Sequence, residues 1–129
     1  MTDFHPVASC DQYQTALAAL RTQGLQPSDM PIFKAFCTAP QHTLTTIELA
    51  GACRFSTCHE SKARFGMLAE RLAKFLGYVP EKRKDGTVPW WQCAAVSSEQ
   101  DEKSRHFPWA LRPELVEALH AMKWVAAST

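Results

Sequence analysis

The chain has 129 residues, of which 46% are hydrophobic and 21% are charged, and its formal net charge at pH 7 is +1. A chain of this length can bury enough apolar surface for one domain, and its composition is that of a globular protein rather than a disordered one. The near-zero charge argues against a strongly basic nucleic-acid coat, so any surface for a polyanion has to come from local clusters of Lys and Arg.

The cysteine pattern and the absence of long apolar runs indicate in which cellular compartment the protein is expected. Five cysteines stand at irregular spacings, which favours free thiols in a reducing environment over a disulfide framework. The first residues show neither a basic region nor an apolar one, and no apolar run reaches the ~20 residues of a membrane span. We therefore expect a cytoplasmic, bacterial type of protein with no membrane contact.

The first half of the chain predicts helices with clear starts. Ser9 and Gln12 form a capping box for a helix over Cys10–Gln23, and Gly24 is its expected left-handed stop. Asp29 is the predicted N-cap of a helix over residues 30–38. Two further capping boxes predict a short helix up to about residue 53 and a long helix up to residue 76, which Gly77 ends: Thr45 with Glu48, and Thr57 with Glu60.

After Gly77 the pattern becomes that of a β-hairpin followed by a helix. Asp85-Gly86 between extended segments is a strong hairpin signal and predicts a strand over residues 87–96. Residues 97–105 are polar and predict a loop, and residues 107–111 predict a strand that pairs with the hairpin. Pro113 then begins a final helix.

This order predicts an α+β winged-helix-like fold. The short third helix and the long fourth helix would form the helix-turn-helix pair, and the hairpin at Asp85-Gly86 would be the wing. The whole chain, 1–129, is then a single domain, with an N-terminal helical extension over residues 1–27 and a winged-helix-like core over residues 29–129.

The long helix carries the strongest functional signal, because its basic residues recur at spacings that place them on one side. In a helix-turn-helix, this second helix enters the major groove of DNA, and Lys or Arg at a wing tip reaches phosphates. The predicted nucleic-acid-binding residues lie on the helix and at the wing tip: Lys62, Arg64, Met67, Arg71, Lys74, Lys82, Arg83 and Lys84. The alternative is an ordinary solvated face, since Glu60, Glu70, Glu81 and Asp85 interrupt both clusters.

Cysteine and histidine residues offer a metal site as a second hypothesis. Cys37, His42, Cys53, Cys58 and His59 supply soft ligands within a short segment, but their spacings are looser than those of most zinc sites. Buried thiols are the favoured interpretation, so we expect no bound metal. Cys58 and His59 are also a poor nucleophile–base pair, because adjacent residues at a helix start do not face each other.

Tryptophans and missing motifs complete the reading of single residues. Trp90 and Trp91 fall on the predicted strand, where neighbours point to opposite faces, so one is core and the other caps an edge or stacks on a ligand. The chain has no phosphate-binding glycine loop, nucleophile elbow or zinc-protease motif. We therefore expect a protein that is not an enzyme and has no cofactor.

Four segments together resemble a small bacterial domain that occurs alone or fused to HNH-type nucleases in restriction and mobile-element settings. They are residues 46–50 (TIELA), 63–69 (ARFGMLA), 85–91 (DGTVPWW) and 109–115 (WALRPEL), and the resemblance covers roughly residues 43 to 125. It implies an accessory role in which this domain targets or regulates and a separate module cuts. The five histidines of this chain do not assemble an HNH motif.

The functional hypothesis is a non-catalytic regulatory or accessory protein of bacterial, phage or other mobile-element origin that binds duplex DNA. The alternative is a protein–protein interaction module, an adaptor or anti-defence protein that docks on a larger complex through the same fold. The near-neutral charge favours this alternative. A homodimer is compatible with either hypothesis.

Overall fold

The structure is a computed structural model that describes residues 7–82, 84–96 and 108–125. Within them it is an α+β fold, mostly helical, with five α-helices and a three-stranded antiparallel sheet. Two short 3₁₀ turns, Pro40–His42 and Trp90–Cys93, complete it. The elements in chain order are α1 (Cys10–Gln23), α2 (Asp29–Thr38), β1 (Thr43–Thr45), α3 (Thr46–Cys53), α4 (Cys58–Leu76), β2 (Ala95–Val96), β3 (Pro108–Leu111) and α5 (Pro113–Ala121).

The predicted capping residues begin α1, α3 and α4. In α1 and α3 the capping box is reciprocal: the Thr45 hydroxyl accepts the Glu48 N–H at 3.1 Å, and the Glu48 carboxylate accepts the Thr45 N–H at 2.9 Å. The Thr57 hydroxyl caps α4 by accepting the Glu60 N–H at 3.1 Å. Gly77 ends α4 in the left-handed region with φ 73°, as predicted. Gly24 also ends α1, but not in the left-handed region that was predicted: its φ is −168° and its ψ is 16°.

The prediction that Asp29 is the N-cap of α2 is wrong. α2 begins at Asp29 itself, and the preceding Ser28 makes no side-chain capping bond. The Asp29 carboxylate instead accepts the Gln26 N–H at 2.8 Å and contacts a side chain of α4. An aspartate in a first helical turn also suits the helix dipole, so the local sequence pattern is the same in both roles.

The prediction of a β-hairpin at Asp85-Gly86 is also wrong, because the segment forms a turn without flanking strands among the residues that the structure describes. Within the described residues, neither side of Asp85-Gly86 is a strand. Asp85 accepts hydrogen bonds from the Thr87 N–H at 2.9 Å and the Thr87 hydroxyl at 2.6 Å, and Gly86 has φ 90°. Pro80 and Pro89 lack the N–H that a strand ladder needs, which disfavours a hairpin here.

The strand predicted over 107–111 is confirmed over its described part as β3, and it pairs with β2 at the end of the predicted 87–96 strand, but the sheet also includes β1, which sequence patterns did not indicate. Its order is β1–β3–β2, and Leu44 of β1 lies opposite Trp109 of β3. β2 covers only Ala95–Val96 of the strand predicted over 87–96, and Trp90 and Trp91 lie in a 3₁₀ turn, both partly buried. The predicted loop over 97–105 and the predicted strand start Phe107 lie outside the described residues.

One hydrophobic core joins all the helices to the sheet. Phe65 of α4 packs between Phe36 and Trp109, with ring centroids 5.1 and 4.6 Å apart. Leu68 and Leu72 are buried beside it, as the predicted apolar stripe requires, and Phe75 is partly buried. α1 packs against α4 and α5, and its buried side chains belong to the same core. The described helices include none with the length and apolarity of a membrane span.

Candidate nucleic-acid interface

α3 and α4 are joined by a tight connection that fixes where α4 begins. Arg54 ends α3 in the left-handed region with φ 60°, and the Phe55 N–H donates to the Ala50 carbonyl oxygen at 2.9 Å. Thr57 then caps α4. The two helices pack against each other, so the first turn of α4 emerges beside the end of α3.

The outward face of α4 is the side that no described element covers. Its exposed residues recur three, four or seven positions apart, as one side of a helix requires. Phe65, Leu68 and Leu72 point the other way, into the core. The outward face of α4 consists of His59, Ala63, Arg64, Met67 and Lys74.

Arg64 is exposed on this face but held in place by its neighbour. Its side chain is 48% exposed, and its Nη2 lies 3.4 Å from Glu60 Oε2. The other carboxylate oxygen, Glu60 Oε1, accepts the Ser56 N–H at 2.8 Å. Glu60 is therefore fixed to the backbone ahead of α4 and draws the Arg64 side chain toward the start of the helix.

Arg71 does not belong to the outward face, and the expectation that it is exposed is wrong. Its guanidinium makes two hydrogen bonds to Asp29, at 2.5 and 3.0 Å, and a third to the Gly24 carbonyl oxygen at 2.8 Å. Its side chain is 23% exposed and that of Asp29 is fully buried. The loop between α1 and α2 lies against α4 at Arg71, so the Arg71 side chain connects that loop to α4.

The other predicted basic residues lie at the edges of the face or beyond it. Lys74 is exposed, with Nζ 3.5 Å from Glu70 Oε2. Lys62 is partly buried and lies about 160° around the helix from Arg64. Lys82 and Lys84 are exposed next to the Asp85-Gly86 turn, and Arg83 lies outside the described residues.

The thiols and histidines of the metal hypothesis are not brought together. In the described part of the chain, no three His, Cys, Asp or Glu side chains form a group that could hold a metal ion. Burial raises the pKa of the Cys37 thiol to about 11 and also raises the pKa of Cys53. A raised pKa disfavours the thiolate that binds metal or acts as a nucleophile.

A concavity of about 520 Å³ lies elsewhere, between the outer side of the sheet and the start of α5. Its walls include Val96, Ala110 and Val116, with one arginine and one glutamate among mainly apolar side chains. Such a surface lacks the positive charge that a polyanion needs. The outward face of α4 is therefore the better candidate for a nucleic-acid interface.

Two exposed residues near the start of α4 are candidates for this interface but are not among the predicted nucleic-acid-binding residues. Arg54 is exposed in the α3–α4 connection, and His59 is exposed in the first turn of α4. The signal for both was their position: a helix-turn-helix presents its connection and the start of its second helix to DNA. The sequence around His59 indicates only a candidate metal ligand or base, because its neighbours Cys58 and Cys53 suggest those roles.

Comparisons with known proteins do not identify a family or a function for this chain. No protein-family model matches the chain, and no curated protein and no solved structure matches it either.

Proposed function

We propose that this protein binds duplex DNA as a winged-helix domain, with the N-terminal half of α4 in the major groove. The observation that carries the proposal is the outward face of α4, which starts directly after a tight connection from α3 and has no described element packed on it. A helix presented in this way is the part of a helix-turn-helix that reads DNA.

The connectivity supports the winged-helix part of the proposal. A winged helix combines a helix-turn-helix with a small antiparallel sheet, one strand of which precedes the helix pair while a closing hairpin follows it. Here β1 precedes α3 and α4, and β2 and β3 follow as antiparallel neighbours, with β3 in the centre. The hairpin of the proposed fold is thus β2–β3, not the Asp85-Gly86 turn. α1 and α5 are additions to it.

The distribution of charge selects one half of α4. Arg54, His59 and Arg64 lie around its first turns, where the positive end of the helix dipole also attracts phosphate. Toward its end, Arg71 is occupied by Asp29, so Lys74 is the exposed basic residue that remains in that half. Arg71 is therefore removed from the proposed contacts. Arg64, Met67 and Lys74 remain on the face. Lys62, Lys82, Arg83 and Lys84 stay sequence predictions, because Lys62 points to another side of α4 and the turn at Asp85-Gly86 is not the wing of the proposed fold.

The test is the affinity for random-sequence duplex DNA over a range of salt, measured by fluorescence anisotropy. Affinity should fall steeply between about 50 and about 200 mM salt, because each phosphate contact releases counterions. Lys74→Ala, on the outward face of α4, should weaken binding and reduce the logarithmic slope by about one. Lys34→Ala on α2 removes the same charge from an exposed position outside the proposed interface and should change neither quantity. A protein that binds no duplex at the lowest salt would contradict the proposal.

A second candidate, docking on a protein, is favoured by a different observation. Arg64 and Lys74 are each paired with a glutamate of α4, and Met67 stands 56% exposed between them. Ile47 on α3 is 47% exposed as well. Charge-balanced surfaces with exposed methionine suit protein partners more than polyanions. In that case Met67→Asp should abolish binding to the partner complex, and duplex DNA should not bind at any salt.

The accessory or regulatory role in a bacterial or mobile-element setting rests on the resemblance described above and stays a prediction. The proposed DNA binding is independent of that resemblance, because it draws on the exposure of α4, on the charges at its start and on the strand order. No catalytic step is part of the proposal.

A further inference from the structure

Glu60, beside the outward face of α4, connects Arg64 of that face to the backbone ahead of the helix. The Glu60 carboxylate uses one oxygen to accept the Ser56 N–H at 2.8 Å and the other to face Arg64 Nη2 at 3.4 Å. An exposed arginine normally samples many rotamers, and a partner anchored to the backbone reduces that freedom before any ligand binds. Arg64 is thus held near one direction while its side chain remains about half exposed.

The guanidinium has donors left over in this arrangement. Arginine carries five N–H donors in a rigid fork, and the contact to Glu60 engages only Nη2. In the major groove, guanine is the base that presents two acceptors, O6 and N7, to such a fork. A bidentate contact of this kind is specific to guanine, whereas a contact to phosphate has no base preference.

The residues beside Arg64 add a second preference. Ala63 and Met67 are exposed and four positions apart, so they form an apolar strip on the same face. Small and flexible apolar side chains in the major groove contact the methyl group of thymine. Neither side chain can donate a hydrogen bond to a base edge, so this strip can distinguish thymine from other bases only by contact with its methyl group.

We propose that Arg64 reads a guanine adjacent to thymine in the major groove, and that Glu60 is the positioning residue that holds Arg64 for this contact. The proposal rests on the proposed function and goes beyond it, because it assigns a base preference to one side chain. It also gives Glu60 a role opposite to that of an ordinary acid at a DNA surface: it lowers affinity for phosphate in general and raises discrimination between bases.

The experiment begins with selection of bound sequences from a random duplex pool by the wild-type protein. The enriched sites should share a fixed guanine next to a thymine. For Arg64→Ala, the preference for guanine at that position should fall by about tenfold or more, while binding to unrelated duplex falls much less. Lys34→Ala is the matched control and should select the same sites as wild type.

Glu60→Gln separates positioning from a structural role. The amide oxygen of glutamine can still accept the Ser56 N–H, and the Thr57 hydroxyl still caps the helix, so the helix start and the melting temperature should be retained. Removal of the negative charge should raise affinity for unrelated duplex, while the ratio of affinities for guanine-containing and guanine-substituted sites should fall. A merely structural role for Glu60 would move both affinities in the same direction.

The outcomes distinguish this inference from the proposed function. Duplex binding without a fixed guanine, or an Arg64→Ala variant that weakens all sequences equally, would overturn the reading of guanine and leave DNA binding intact. A Glu60→Gln variant with unchanged discrimination would overturn the positioning role. Absence of duplex binding by the wild type at low salt would instead overturn the proposed function itself.

Discussion

Two arginines of α4 lie almost on the same line along the helix and have opposite surroundings. Arg64 and Arg71 are seven residues apart, which separates their directions by only about 20°. Each faces one carboxylate. The carboxylate of Glu60 belongs to the same helix and is partly exposed, whereas that of Asp29 belongs to α2 and is fully buried.

The difference shows what decides whether a charged side chain serves stability or binding. An exposed ion pair within one helix contributes little to stability, because water and salt screen it. A buried pair with several hydrogen bonds is costly to break, because removal of one partner leaves the other charged and without water. Helical position is therefore a poor guide to function until the neighbouring segments are known.

The largest effect should come from breaking the buried pair. Arg71→Ala leaves the Asp29 carboxylate buried without its partner and should lower the free energy of unfolding by about 3–5 kcal/mol. Urea denaturation followed by circular dichroism measures it. Arg64→Ala is the matched control on the same helix. If both variants lost equally little, the contact between Asp29 and Arg71 would not stabilise the fold.

A smaller loss is expected when only the charge of Asp29 is removed. Asp29→Asn keeps the size and one acceptor oxygen but weakens the hydrogen bonds to Arg71, and bonds to charged groups are worth about 1.5–3 kcal/mol. The loss should therefore lie below that of Arg71→Ala when both are measured in the same urea titration. A larger loss for Asp29→Asn would mean that its bond to the Gln26 N–H matters more than the ion pair.

Removal of the exposed arginine should barely affect folding. Arg64→Ala should change the free energy of unfolding by within about 0.5 kcal/mol, as exposed substitutions usually do. The same purified variant is the one expected to lose guanine preference, so a normal melting curve would show that lost binding is not lost folding. A variant that unfolds early would place Arg64 among the structural residues with Arg71.

The smallest effect concerns the response of the two pairs to salt. Double-mutant cycles should give a coupling of about 0.3–0.5 kcal/mol for Glu60 with Arg64 at low salt, and this coupling should vanish at about 1 M salt. The coupling of Asp29 with Arg71 should be larger and should depend less on salt, because the Asp29 carboxylate is fully buried. Equal salt dependence of the two couplings would mean that burial of Asp29 does not set the strength of its ion pair.

Helix boundaries were predictable because their causes are local. The starts of α1, α3 and α4 depend on a capping residue and the residue three positions later, and Gly77 ends α4 through its own backbone freedom. The buried stripe of α4 follows from helical periodicity in the same way. The α+β class and the final helix at Pro113 were predicted for similar reasons.

The strand β1 and part of the candidate site were not predictable from the sequence, because they depend on distant segments, whereas β2 and β3 fall within predicted strands. β1 has three residues and exists only because β3 pairs with it, some 65 residues later in the sequence. The role of Arg71 depends on a loop that Asp29 and Gly24 place against α4. Exposure of Arg64, Met67 and Lys74 was predicted correctly, since periodicity alone places them opposite the core.

The hydrogen bond between Tyr13 and Cys93 has a consequence for how the chain folds during synthesis. The Tyr13 hydroxyl donates to the Cys93 carbonyl oxygen at 2.7 Å, across 80 residues of sequence, and α1 also packs against α5. During synthesis α1 therefore leaves the ribosome long before Cys93 and α5 are made. Its apolar side stays exposed until almost the whole domain has been synthesised. Folding in the cell should occur late and as one step, after α5 has left the exit tunnel, with α1 as a site for chaperones until then.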